Sequence, residues 1–351
     1  MNATTYAVDT AKNVMQLHWV DADSGEICRR KLTRAKFVEF FAQRHGARVA
    51  LEACGGAHHW ARCLSAMGHA VELLPTRQVR AFVRGNKDDA ADARAIWVAA
   101  QQTDIRRVAI KSTQQQAVLS LHRMRAHWVS VRTATVNALR GLLYEFGVVL
   151  PQGKALGLKT LAEQRARFDA LLPELMRRLL DQQLAALRTL EQNVKQVEAE
   201  LALVQRSEPQ AERLRQVPGI GLLGATALSA VLGEDAGGWR NARDFSCSLG
   251  LTPRHRGTGG KVVMGGINKR GDPYLRTLLV SGARSLLSGA RSLLNSPSAP
   301  QWAREMLLRR PDNVVVVALA NKLARTAWAL VAHQRGFDRQ WCSVRPGESA
   351  P

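Results

Sequence analysis

Along the first hundred residues, short apolar runs alternate with stretches whose apolar positions recur at helical spacing. YAVD (6–9), VMQLHWV (14–20), RVALE (48–52) and AVELL (70–74) read as strands. Between them, LTRAKFVEFFAQR and HHWARCLSAMG carry apolar residues three and four apart and read as helices. The order strand, strand, helix, strand, helix, strand predicts an α/β layer on a mixed sheet. From Thr113 to Gln205 the pattern turns helical throughout. Leu121, Met124, Trp128, Val131, Thr135, Ala138 and Leu142 step by three and four. After GVVLPQGKALG, so do Leu187, Leu190, Val194, Val197, Leu201 and Val204. These stripes predict an antiparallel pair of long helices, either a coiled-coil arm or dimer seam, or part of an ordinary bundle. Ser207, Glu208 and Pro209 read as a linker to a third, mainly helical segment with glycine-rich loops at 233–238 and 257–266. The expected organisation is an α/β domain at 1–112, a helical insert at 113–206, a mainly helical domain at 207–340 and a disordered tail at 341–351.

Charge changes the picture most. Fifty Lys+Arg against 29 Asp+Glu give a formal net charge of +21. A field of that sign favours a polyanion and salt-dependent association with DNA or RNA. The five cysteines form no CxxC pair, which points to reduced thiols in a cytosol and away from a zinc ribbon. MNATTYAVDTAKN lacks a basic region followed by an apolar one, so no signal peptide is expected. NVVVVALANKLARTAWALVA is interrupted by Asn321, Lys322 and Arg325, which predicts a core helix and no membrane partner. The expected location is cytoplasmic.

Three constellations carry candidate chemistry. Asp9 and Glu52 close predicted strands, while Asp89 and Asp92, three residues apart, share a face near the start of a predicted helix. Four carboxylates of this kind suit two Mg²⁺ ions in phosphoryl transfer. Taken singly, Asp88 or Asp89 is equally an N-cap and Glu52 a solvated strand end. Arg77, Arg80, Arg84 and Lys87 precede the helical acids and would draw a phosphodiester toward them. In the second constellation, Val217-Pro218-Gly219-Ile220-Gly221 before a small-residue helix has the form of a helix-hairpin-helix. There Gly219 and Gly221 would let backbone N–H groups reach a phosphate; the alternative is a tight interhelical turn. The third is the glycine-rich run around Arg254, Arg256, Lys261, Lys269, Arg270 and Arg276, cations suited to a sugar-phosphate chain, with the hydroxyl of Thr258 in its midst. It is no Walker A, lacking the GxxxxGK[ST] order.

In YAVDTAKN, LEACGGAHHW, GNKDDAADARAI, LRGLLYEFGVVLPQG, VPGIGLLGATAL, LGLTPRHRGTGGK, INKRGDPYLRTLL and ANKLARTAWAL the chain resembles the DEDD transposases (recombinases) of the insertion-sequence one-hundred-ten family, most closely the eleven-eleven subgroup. The resemblance runs over nearly the whole chain. It implies an N-terminal ribonuclease-H-like domain of the Holliday-junction-resolvase type, a coiled-coil insert and a C-terminal transposase domain. It assigns the DEDD set to Asp9, Glu52, Asp89 and Asp92, leaving Asp88 as a cap or charged neighbour. It also implies two Mg²⁺ ions, a serine nucleophile in the C-terminal domain, donor and target DNA, a structured bridge RNA as guide, and a dimer or tetramer. Where relatives carry serine before Gly-Gly-Lys, this chain has Thr258, whose added methyl group crowds attack and stiffens χ1. Ser281 is a second candidate hydroxyl. Rival readings on the same fold are a site-specific DNA invertase, a DEDD junction nuclease acting with water, and a non-catalytic nucleic-acid-binding relic.

Overall fold

A computed structural model describes residues 4–85, 88–292 and 301–338. Lys87 and the tail at 341–351 lie outside the described residues. The chain forms two compact units, Met1–Gln114 and Gln115–Pro351.

In the first unit five strands, β1 (Thr5–Thr10), β2 (Val14–Val20), β3 (Ile27–Thr33), β4 (Arg48–Glu52) and β5 (Ala70–Leu74), make one sheet in the order β3-β2-β1-β4-β5. β1, β2 and β3 run antiparallel, whereas β1, β4 and β5 are parallel. The two-residue side-chain period sorts the faces. Val8, Met15, Leu17, Leu51 and Leu73 pack with Phe37 and Phe41 of α1 (Arg34–Ala42) and Trp60 and Leu64 of α2 (Ala57–Ala66). Ala7, Ala50 and Leu74, one residue out of phase, meet the opposite layer. That layer is α3 (Thr76–Val79), which runs into a 3₁₀ turn at Arg80–Phe82, and α4 (Asp89–Ala100) with its buried Ala95, Ile96 and Ala99. Alanines on both sides let α4 lie close to the sheet. Arg48 and Arg107 both bind Glu72, at 3.0 and 2.7 Å, and both donate to the carbonyl of Ala100, tying β4 and β5 to the end of α4.

β3 is a strand beyond the four expected. Its Cys28-Arg29-Arg30-Lys31 run hides the apolar alternation, because only Leu32 is buried. It is an edge strand, and cations there discourage pairing with another chain.

In the second unit, α5 (Thr113–Tyr144) and α8 (Glu174–Ser207) are joined through α6 (Lys154–Glu163) and α7 (Arg165–Leu171). Val118 packs with Leu201, Arg125 pairs with Glu198 at 2.7 Å, and Leu139 packs with Leu180, so the two long helices run antiparallel. On α8 the expected stripe is the buried one at Leu187, Val194, Val197 and Leu201. On α5 the stripe needs correcting by one residue. Val118, His122, Val136, Leu139 and Leu143 are buried, while Met124 and Leu142 are 44% and 39% exposed. The shift centres the buried face on a polar residue, His122, which an apolar stripe skips.

No linker separates α8 from α9 (Pro209–Arg215); the single residue Glu208 caps one helix and opens the next, with Pro209 at the first helical position. α10 (Leu222–Leu232), α11 (Ala242–Ser248), α12 (Pro273–Ser292), α13 (Gln301–Leu307) and α14 (Asp312–Ala332) follow. The region expected as a glycine-rich loop contains an antiparallel pair, β6 (Pro253–Arg256) and β7 (Val263–Ile267). α14 is long and apolar enough to cross a membrane, with mean hydropathy 1.6. Its Val315, Val316, Leu319, Leu323, Ala327 and Val331 are nevertheless buried in the core that α10, α11 and α12 share.

Candidate nucleic-acid-processing site

β1 and β4 are adjacent and parallel, with Val8 in register with Leu51. The next residue on each strand, Asp9 and Glu52, therefore falls side by side. Both are in phase with Ala7 and Ala50 and so on the α4 face of the sheet. Thr10 Oγ1 at the end of β1 and Cys54 Sγ just past β4 lie 3.2 Å apart, joining the two ends. Asp89 and Asp92 occupy the first turn of α4. Asp88 is the N-cap: its side chain accepts from the Ala90 N–H at 3.3 Å, which leaves Asp89 and Asp92 free of that duty.

Asp9 feels the other three acids. Burial first, then the charges of Asp92, Asp89 and Glu52, push the Asp9 carboxyl up to about 6, against a smaller opposing hydrogen bond from the Thr10 backbone. A divalent ion beside it would reverse the field and favour the ionised form. Among the described residues, no three His, Cys, Asp or Glu side chains stand close enough together to ligate a metal ion as they are. The all-oxygen donor set and its repulsive field fit a hard divalent cation.

Arg77, Arg80 and Arg84 are exposed on α3 and the turns that lead to Asp88. β3 adds cations that the sequence reading passed over, since the strand itself was hidden: Lys31 is in register with Gln16, and Gln16 with Asp9. Recognising the strand from its alternation around Leu32 is the signal that would have found them.

In the second unit, Gly219 has φ +89, and an added Cβ would lie 2.7 Å from Leu286 Cδ1. Its need for glycine is therefore met by packing inside the turn, the alternative reading of VPGIG. Gly221 is exposed at the N-cap of α10, where an added Cβ would meet the Arg215 guanidinium at 3.8 Å, an ordinary contact. Thr258 sits at the exposed tip of the β6–β7 hairpin, where its carbonyl accepts from the Lys261 N–H across Gly259 and Gly260. Both glycines have positive φ, +57 and +80, as a two-residue primed turn requires. Arg254, Arg256, Lys261, Lys269 and Arg270 are exposed around it, whereas Arg276 is half-buried and donates to the Leu249 carbonyl at 2.9 Å. Ser281 is exposed on α12. The glycines flanking the hairpin serve a crossing of chains. A Cβ on Gly250 would lie 2.3 Å from the Arg270 carbonyl, and one on Gly271 1.7 Å from that of Ser248.

A mixed sheet of five strands with helices on both faces is consistent with a DEDD nuclease-like domain. Residues 6–148 match the DEDD transposases of the IS110 type, and residues 211–295 match the Transposase IS116/IS110/IS902 family. Over 348 residues the chain is 43% identical to a probable family 20 transposase of Pseudomonas aeruginosa, spanning 99% of this chain and 100% of that one. It is 36% identical over 338 residues to the transposase for insertion sequence element IS1328 of Yersinia enterocolitica (96% and 99% of the two chains). It is also 36% identical over 330 residues to the transposase for insertion sequence element IS1111A of Coxiella burnetii (94% and 90%). The chain belongs to the IS116/IS110/IS902 family of transposases, enzymes that cut and recombine DNA.

Proposed function

We propose that this protein is the transposase of an insertion sequence, exchanging DNA strands with a metal-holding Asp9, Glu52, Asp89 and Asp92 set and the hydroxyl of Thr258. The observation that carries the reading is the field at Asp9, built by burial and by the other three acids together. The strand order β3-β2-β1-β4-β5, with acids at the ends of β1 and β4 and on α4, supports a ribonuclease-H-like domain of the Holliday-junction-resolvase type. The long α5–α8 pair is the coiled-coil insert of this reading, and the remaining helices its transposase domain.

Asp9, Glu52, Asp89 and Asp92 would hold Mg²⁺, in a pair of ions, through hard carboxylate oxygens. The chemistry gained from bound Mg²⁺ is polarisation of the scissile phosphate and relief of charge on the leaving oxygen. Thr258 Oγ1 attacks phosphorus, so an Oγ1–P bond forms as the P–O3′ bond breaks. The departing 3′ oxygen takes up a proton to match the one the threonine gives up. A 3′ hydroxyl of the second DNA then displaces Thr258 in the reverse sense, conserving the bond count. Arg254, Arg256, Lys261, Lys269 and Arg270 neutralise phosphates around the hairpin, with Arg276 behind them; Arg77, Arg80, Arg84 and Lys87 do so beside the acids. Gly221 offers the N-terminus of α10 to a backbone phosphate, with Gly219 shaping the turn. A structured bridge RNA supplies sequence by base pairing while the basic surface holds backbone and shape, a division of labour that the net charge of +21 supports. Exchange between two DNAs calls for a cytoplasmic homodimer or tetramer.

The test is strand cleavage by the full chain with its cognate RNA and DNA in Mg²⁺. Asp89→Asn should abolish cleavage. Thr258→Ala should lose the covalent protein–DNA adduct, and Thr258→Ser should form it faster. Adduct formation by Thr258→Ala, or its loss in Ser281→Ala, would overturn the nucleophile assignment. Cleavage without any adduct would favour hydrolysis by water.

A further inference from the structure

We propose that Arg29 and Lys31 of β3, with Arg94 of α4, form a cationic ledge that grips the DNA strand a nucleotide or two from the acid cluster. The inference rests on the reading of Asp9 and its partners as the cleavage site. Directly opposed residues in an antiparallel pair share a face. Asp9 opposes Gln16 and Gln16 opposes Lys31, while Ala7 opposes His18 and His18 opposes Arg29. Ala7 is buried under α4, so both cations stand on the α4 face, the face of the acids. Arg30, between them, stands on the other face with its guanidinium 5.7 Å from the Phe40 ring centre. The run of three cations is thus split: one packs, two face the site.

Arg94 joins them from above. Trp97, one turn further along α4, has its ring 6.0 Å from that of His18, and the charges of Arg94 and Arg29 both bear on His18, which burial chiefly holds below its usual range. Among the described residues Arg29, Lys31 and Arg94 make no ion pair, unlike Arg48 and Arg107 of the same unit, which share Glu72. Protecting an edge strand from pairing explains why β3 carries cations. It does not explain why two of them stand on the face of Asp9, one in its row and one beside the buried His18.

The spacing suits one DNA strand. Two strand-to-strand steps put the Lys31 backbone about 10 Å from that of Asp9. Along one strand of a duplex the rise of about 3.4 Å per nucleotide combines with the helical turn to put successive phosphates roughly 7 Å apart, so the ledge lies about one to two nucleotides from a phosphate held at the acids. Cations there offset the repulsion that four carboxylates exert on the same strand.

The experiment is DNA binding by the full chain in EDTA, where no cleavage intervenes, over a series of salt concentrations. Loss of two phosphate contacts lowers the slope of log K against log salt by about 1.8 and weakens binding about thirtyfold at 0.15 M salt. Arg29→Gln/Lys31→Gln should show that loss on duplex DNA. Arg30→Gln/Lys36→Gln, with the same charge removed from the other face, should lose far less. Arg29→Lys/Lys31→Arg should keep the wild-type slope, which separates charge from folding. Equal losses in the two neutralising variants, no loss in either, a loss seen with RNA but not DNA, or failure of the charge-conserving variant to bind would each overturn the ledge. Because binding is read without metal, its failure is distinct from that of the cleavage reading, which Asp89→Asn tests in Mg²⁺.

Discussion

His122 should make the second unit acid-sensitive in a way that one substitution removes. It is 1% exposed on α5, with Nδ1 2.8 Å from the Tyr274 hydroxyl on α12 and Nε2 3.0 Å from Thr226 Oγ1 on α10. The Thr226 hydroxyl donates its proton to the Leu222 carbonyl at 2.9 Å, so toward His122 it can only accept. Nε2 therefore carries the hydrogen and Nδ1 accepts from Tyr274. The neutral ring is fully satisfied, and three helices meet on it. Burial, with the charge of Arg125 adding to it, lowers the His122 pKa to about 4. The folded value lies below the unfolded one, so stability is complete above pH 6.5 and is lost as pH falls toward 4, where the unfolded chain takes a proton that the folded one refuses. Between pH 7 and pH 4.5 the loss is about 2 kcal/mol. Carboxylates titrate over the same range, so the measurement is a difference. Urea unfolding of wild type and His122→Gln is followed by far-ultraviolet circular dichroism at both pH values. Glutamine keeps a donor and an acceptor but does not titrate. His122→Gln should be the less stable protein at pH 7, and the gap should shrink by about 2 kcal/mol at pH 4.5. A gap that stays constant would show that the ring is not held neutral by its burial among α5, α10 and α12.

Two further outcomes follow from close approaches elsewhere. Asp9, raised to about 6, destabilises the ionised fold: stability is greatest below the unfolded value of 3.8 and falls as pH rises through about 6. Without divalent metal at pH 8, Asp9→Asn should therefore melt about 5 °C higher than wild type, and Mg²⁺ should raise the melting temperature of wild type alone; a lower melting temperature for the variant would contradict the repulsive field. Gly282 of α12 faces the VPGIG turn so closely that a Cβ would lie 1.9 Å from the Gly219 carbonyl oxygen; Gly282→Ala should cost about 3 kcal/mol in urea unfolding, and an unchanged midpoint would mean that α12 does not pack on that turn.

Elements that follow one periodicity were legible in the sequence. The four apolar strands and α8 announce their buried positions because hydrophobic residues and burial coincide there. β3 does not, since an edge strand buries one side at most and fills the rest with cations. The α5 stripe reads one residue out of phase because its buried face includes His122, whose partners Thr226 and Tyr274 are 104 and 152 residues away. The β6–β7 hairpin hides for a third reason. All but one of its strand residues are exposed, so no alternation of burial marks it, and a loop is the natural reading.

The same division separates the glycines from the acids. Asp9 and Glu52 are legible as a pair because a carboxylate that ends an apolar strand is visible in the residues themselves, and adjacency in a parallel sheet follows from topology. Gly219 looks from sequence like a phosphate-facing position, and Gly250, Gly271 and Gly282 carry no signal of their own there. Their tight spots are set by backbone and side chains of other segments: Leu286, Arg270, Ser248 and Gly219 itself. Motifs such as VPGIG and NKRGD thus carry two requirements at once, a crossing that tolerates no Cβ and an exposed surface of cations beside it. Substitution at Gly221, exposed and with the Arg215 guanidinium at 3.8 Å as an added Cβ's one close neighbour, separates the two. Gly221→Ala meets no steric obstacle and should leave folding within about 0.5 kcal/mol of wild type, so any fall in DNA affinity it brings reports on the turn as a phosphate site and not on the packing beneath it.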